Sequence, residues 1–204
     1  MGRKSAGASL ARASAQMPWA SEVSRYGVKS MKPADRDLLV EKVLGAYGQR
    51  GSGTFEVRPS NANGDFVSAV DGRTENLVNL PGPVGVVALS SLAGGISQNV
   101  YSFAMEKERS QRFVCISNDT VETSRFEFPP EVSVLAIPKQ VRLQDANVEY
   151  SAQYTQEGNA VVIERHFKFS RPDVVCSPED FAAMKPAIEA MVRDLQSQII
   201  VQAS

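Results

Sequence analysis

Apolar and polar positions alternate in short runs through the middle of this chain and recur at helical spacing only near its two ends. The first helical pattern covers residues 33–47, where Leu39, Val43, Leu44 and Tyr47 fall on one side. Pro33 suits a first turn, Asp35 and Asp37 sit near the positive end of the dipole, and Gly48 and Gly51 stop the run. A weaker helical stretch at residues 19–26 precedes it, so the pattern predicts a helix pair on the N-terminal side.

From residue 54 to 169 the texture is strand and turn. Residues 54–58 alternate and end at Pro59. Residues 66–70 and 74–78 flank Asp71-Gly72, a pair suited to a tight turn. The Leu-Pro-Gly-Pro run at 80–83 is a rigid corner, and the Gly-rich residues 84–96 predict a loop or a bent strand. Further strands are predicted at 111–117, 123–128 and 132–137. Residues 148–156 and 160–169 predict a hairpin around Glu157-Gly158-Asn159. Its inward set is either Val161, Ile163, Arg165 and Phe167 or the opposite register containing Val162, and the pattern does not choose between them.

The C-terminal helix is marked at its start by Ser177 as cap, Pro178 in the first turn, and Glu179 and Asp180 at the positive dipole end. Phe181, Met184, Ile188, Val192 and Leu195 share a face. Pro186 removes a backbone hydrogen bond at about 3 kcal/mol, which predicts a kink or a break into two short helices. Residues 198–202 then predict a last strand that closes a sheet. The expected fold class is therefore α+β, mainly β, with antiparallel sandwich-like sheets, a helix pair near the N-terminus and a helix near the C-terminus. The chain divides into a flexible or edge segment at 1–16, a helical segment at 17–51 and a β-rich domain at 52–204, all of which can also form one domain.

Composition changes this picture little. With 204 residues, 43% apolar and 22% charged, the chain can bury a real core. A net charge of −1 gives no electrostatic reason to expect nucleic acid as a partner. The longest apolar run, 84–96, is too short and too rich in Gly and Ser to insert in a membrane. Two cysteines are too few for a disulfide framework; Cys115 and Cys176 read as small buried apolar residues, the alternative being a single bridge. The first residues carry Arg3, Lys4 and Arg12 among Ser and Ala with no acid before Glu22. That composition mimics an organelle transit peptide, lacks the apolar core of a secretory signal, and otherwise fits a frayed tail or an edge strand cut from something longer.

Candidate chemistry is sparse. Cys115, His166 and Asp173 occur in the order of a thiol-enzyme triad, but Cys115 falls in a predicted strand rather than at a helix N-terminus, where its pKa would be lowered. One His and two distant Cys give no zinc spacing. Residues 61–65 resemble a calcium loop without its distal Glu, and the glycines of 48–53 follow a helix rather than link strand to helix. Asn118 opens a formal glycosylation sequon. Residues 105–109 fit a solvated turn. No catalytic, cofactor-binding or metal-binding residue is assigned. Trp19, Tyr26, Tyr101 and Phe103 are the candidates for a binding surface, with core packing as their ordinary alternative.

The order of these parts resembles a known family. The strand end at Phe126 to Pro130, then Ile137-Pro138, Tyr150, the Gly158-Asn159 turn, Arg165, Ser177-Pro178-Glu179-Asp180-Phe181 and the apolar Ile199-Ile200-Val201 are similar to the C-terminal region of bacterial transglutaminase-like proteins. Those proteins carry an N-terminal β-rich domain of unknown function and a papain-like core. The residues at 33–48 resemble the helix after the core, and 76–83 its Asn-Leu-Pro-Gly-Pro corner; Pro186 departs from the pattern. The resemblance implies that the Cys-His-Asp core lies upstream, so that this chain is a non-catalytic accessory module in contact with that core and self-associating when isolated. It further implies a parent in the periplasm or cell envelope, and, as no export signal is evident, that the chain is a fragment. The alternative is a glycan- or peptide-binding β-sandwich module.

Overall fold

The computed structural model describes residues 6–17, 27, 30–46, 50–58, 66–78, 80, 82–88, 95–145 and 147–203. In chain order these form β1 (Ala6–Met17), α1 (Pro33–Ala46), β2 (Gly51–Arg58), β3 (Phe66–Val78), β4 (Val84–Ala88) and α2 (Ile96–Ala104). There follow β5 (Phe113–Val114), β6 (Asn118–Glu127), β7 (Val132–Ala136), β8 (Val141–Gln144), β9 (Val148–Glu157), β10 (Ala160–Phe169), β11 (Val175–Cys176), α3 (Pro178–Leu195) and β12 (Gln198–Ala203). The fold is α+β and mainly β, and every described strand pairing is antiparallel.

The large sheet has the order β2-β3-β1-β6-β10-β9-β8, and a small sheet has the order β4-β12-β7. One core joins them. The alternating inward residues of β6, β9 and β10 pack with Val100 of α2, with Phe181, Met184, Ile188 and Met191 of α3, and with Val87, Val132, Ile199 and Val201 of the small sheet. Val40 and Leu44 of α1 make a satellite cluster with Val70 and Phe55 on β3 and β2. The hairpin register is now settled: Val161, Ile163, Arg165, Phe167 and Phe169 are inward, because only that set puts the large apolar side chains under α3.

Several sequence expectations are corrected. Asp71-Gly72 is no turn but the middle of the continuous β3, paired with β1 on one side and β2 on the other. Gly72 lies opposite Gly53, and a Cβ added at Gly53 would sit 2.3 Å from the Asp71 carbonyl oxygen, so glycine here serves close strand approach rather than chain reversal. The N-terminal segment is an interior strand, not an edge: β1 lies between β3 and β6. Residues 84–96 contain the regular strand β4 and the start of α2. The strand expected at 111–117 shortens to β5. The predicted helix at 19–26 and the residues 61–65 lie outside the described residues.

α3 is one unbroken helix despite Pro186. Pro186 is exposed, and the carbonyl that loses its donor, that of exposed Ala182, is on the same side and can bond water instead. The start of α3 follows expectation, with a full capping box between Ser177 and Asp180.

The two cysteines are bridged, which replaces the expectation of separate buried thiols. Cys115 and Cys176 are 5.8 Å apart at Cα and 61 residues apart in sequence, and their bond ties the lead-in of β6 to the residue before the α3 cap. Closing a loop of that length in the unfolded chain is worth about 4 kcal/mol. Reduction, or the Cys115→Ser/Cys176→Ser pair, should lower unfolding stability by about that amount in urea titrations. An unchanged midpoint would show that the bridge contributes nothing to the fold.

Candidate functional site

The chemistry-bearing side chains of the hairpin divide between the two faces of the large sheet. On the inward face, β9 presents Tyr150, Ala152 and Tyr154 in alternation, and β10 presents Arg165 directly opposite Ala152. The small alanine leaves room for the guanidinium between the two tyrosines. On the other flank Arg165 stands opposite Glu122 of β6. Above them the last turn of α3 presents Asp194.

Asp194 gathers this group. Tyr150 Oη donates to its Oδ2 at 2.5 Å, Tyr154 Oη to its Oδ1 at 2.7 Å, and Arg165 Nε to Oδ2 at 3.3 Å. Arg165 Nη2 also donates to Tyr154 Oη at 3.2 Å. The side chains of Arg165 and Asp194 are only 2% and 1% exposed. Burial pushes the Tyr150 hydroxyl well above the usual tyrosine range, with Arg165 opposing and Asp194 assisting. Burial opposes the charge on Arg165, yet Tyr150, Tyr154, Asp194 and Glu122 hold it above its usual range. Glu122 Oε2 accepts the Ile96 N–H at 3.1 Å, and so supplies the N-terminal acceptor that Gly95, the α2 cap residue, lacks. The junction sets one cation, Arg165, against two carboxylates, Asp194 and Glu122. Its side chains are buried and join the sheet to α3 and α2.

The outward face is open and polar. His166 Nε2 bonds Asp119 Oδ1 at 2.7 Å, Lys168 pairs with Glu149 at 3.6 Å, and Arg125 pairs with Glu127 and Glu157. A groove of about 520 Å³ crosses β6, β10, β9 and β8, lined by Thr123, Gln140, Arg142, Ser151, Gln153, Glu164 and His166 among others. Ser151 stands opposite His166 in the ladder, and the residue types Ser151, His166 and Asp119 are those of a hydrolytic triad. The geometry is not. Among the described residues no hydrogen bond joins Ser151 to His166, whose Nε2 is engaged by Asp119. The groove offers hydrogen-bonding groups to a polar ligand.

The residues singled out from sequence are dispersed. Tyr101 and Phe103 both lie on α2, but two residues apart on a helix is about 200° of rotation. Tyr101 is 39% exposed, whereas Phe103 is half-buried against Phe169, with ring centroids 5.5 Å apart. Phe103 also lines a cleft of about 310 Å³ between α2 and α3, together with Phe181, Ile188 and Val192. Trp19 and Tyr26 lie outside the described residues. Of the residues in triad order, Cys115 is bonded through sulfur to Cys176 and His166 is held by Asp119. Among the described residues no group of three His, Cys, Asp or Glu is placed to hold a metal ion.

What the hairpin offered to sequence reasoning was Arg165 within an apolar alternation, a sign that an acid must meet it inside. Asp194 could have been named as that acid only once α3 was placed over the sheet.

A family model described as "Domain of Unknown Function with solved-structure structure (DUF3858)" matches residues 89–201, more than half of the chain. The chain belongs to the DUF3858 family. The DUF3858 region runs from just after β4 to within β12, and so contains the whole Arg165 junction, the disulfide and the outward groove. No curated protein and no solved structure matches the chain.

The DUF3858 junction makes a pH-dependent prediction. Tyr150 and Tyr154 both keep their protons in the fold at pH values where free tyrosine loses them. A raised folded pKa gives stability that is complete below the unfolded value and lost as pH rises past it. Stability in urea should therefore fall above about pH 10, and Tyr150→Phe should flatten that fall. An equally steep alkaline decline in Tyr150→Phe would contradict the role given to this hydroxyl.

Proposed function

We propose that this chain is a non-catalytic accessory module of a transglutaminase-like protein of the cell envelope, packing against a core that carries the catalytic residues. The observation that carries the proposal is the use made of the residues behind the resemblance. Nearly all of them fall within the family match at 89–201, and there they build architecture: Phe126 and Tyr150 are core, Ser177 caps α3, and Arg165 is buried against Asp194. The disulfide supports an exported parent, since such bonds persist in oxidising compartments and are rare in the cytosol. Among the described residues no helix is long and apolar enough to cross a membrane.

A second function, binding of a glycan or an extended peptide, is favoured by the outward groove with its Gln140, Gln153, Ser151 and Glu164. The aromatic platform that glycan binding commonly uses is not formed by Tyr101 and Phe103, which diverge around α2.

Sequencing the coding locus around this chain tests the first reading. An in-frame or adjacent papain-like core with Cys, His and Asp in place is the expected result. A locus without such a core would overturn the accessory role and direct the purified chain to glycan and peptide arrays.

A further inference from the structure

The outward groove has a charged centre. Arg142 on β8, Ser151 on β9 and His166 on β10 stand side by side in one cross-strand row. The groove of about 520 Å³ and a second hollow of about 370 Å³ are both lined by these three residues, so the row lies where the two meet. The small serine leaves room between two longer side chains, as Ala152 does for Arg165 on the opposite face. Asp119 accepts the Nε2 hydrogen of His166, which holds the ring and leaves Nδ1 without a partner among the described residues. The diagonal neighbours of Arg142 on β9 are Gln153, which is neutral, and Glu149, which pairs with Lys168 at 3.6 Å. Among the described residues Arg142 itself makes neither an ion pair nor a hydrogen bond. Glu164, the other acid of the groove, stands one outward row away, opposite Gln153 and Thr123. That row is about 7 Å along the strands.

We propose that the Arg142–Ser151–His166 row is the anion subsite of the groove and binds the carboxylate of an acidic saccharide. An exposed guanidinium offers a fork of donors that matches a carboxylate. Ser151 adds a hydroxyl and His166 a ring nitrogen. One row on, Thr123, Gln153 and Glu164 offer partners to the hydroxyls of a neighbouring neutral sugar, and Glu164 repels a second acid there. A saccharide is favoured over a peptide because β9 and β10 are interior strands of the sheet. A ligand lying over them meets side chains, not a sheet edge that a peptide could extend. Tyr101 and Phe103 form no aromatic platform, so charge supplies the anchor. This inference rests on the glycan reading of the groove and adds to it the charge of the ligand.

The probe is a tetrasaccharide alternating glucuronate and N-acetylglucosamine, titrated into the isotope-labelled chain beside its neutral methyl ester. Amide shifts in the NMR spectrum should centre on Arg142, Ser151 and His166. Esterification should weaken binding at least about tenfold, the worth of one charge-assisted hydrogen bond. Arg142→Gln should impose the same loss on the acid and none on the ester. Its circular dichroism spectrum should match the wild type, since Arg142 is exposed on an edge strand. Lys107→Gln, in the cleft between α2 and α3, should bind as the wild type does. Acid and ester binding equally, or an Arg142→Gln variant without effect, would overturn the anion subsite and leave the glycan reading in place. Shifts at the groove from neither compound up to millimolar concentration would overturn both. Inorganic phosphate or an acidic peptide binding as tightly as the tetrasaccharide would overturn the saccharide as its ligand.

Discussion

A carboxylate near the C-terminal end of a helix faces the negative end of the helix dipole, and burying it there is unfavourable unless a cation and donors meet it. Asp194 is in that position, buried in the last turn of the 18-residue α3, and it is met by Arg165, Tyr150 and Tyr154 from a single hairpin. The arrangement has only one workable geometry. Arg165 must point inward, Ala152 opposite it must be small, and α3 must lie with its last turn over the middle of β9 and β10. The register of the hairpin thus serves this junction and the apolar packing under α3 at once. Glu122 extends it to α2, so that a row across three strands ties both helices of the main core to the sheet.

The other end of α3 is fixed by different means. The Cys115–Cys176 bond fastens the residue before the cap, the Ser177–Asp180 box satisfies the first-turn amides, and Arg171 pairs with Asp180 at 2.5 Å. These contacts hold the Asp180 carboxyl below its usual range, the Ser177 amide first and Arg171 after it. A helix pinned at both ends tolerates Pro186 between them, because the packing of Phe181, Met184, Ile188 and Met191 fixes its path.

The elements legible in the sequence were those governed by local chemistry. The start of α1 at Pro33, the capping box of α3, the 148–169 hairpin with its positive-φ Gly158, and the apolar closing strand could all be read from spacing and residue type. What could not be read depends on partners far along the chain. Asp71-Gly72 has the composition of a turn and becomes mid-strand only because β1 and β2 pair on its two sides. A bridge between Cys115 and Cys176 requires β5 and β11 to be neighbours. The same limit explains the site: Phe103 was legible as an aromatic, but its turning inward onto Phe169 rather than outward beside Tyr101 is a property of how α2 docks. The buried junction, with charges contributed by β6, β10 and α3, had no contiguous motif at all.

The claim that this junction organises the fold is tested most directly by a double-mutant cycle on Arg165 and Asp194. Arg165→Met and Asp194→Asn should each lower stability in denaturant by about 3–5 kcal/mol, because each leaves buried groups uncompensated. The double variant should lose less than the sum by about 2 kcal/mol or more. Additive losses, or single variants as stable as the wild type, would show that the sheet and α3 are held together by apolar packing alone.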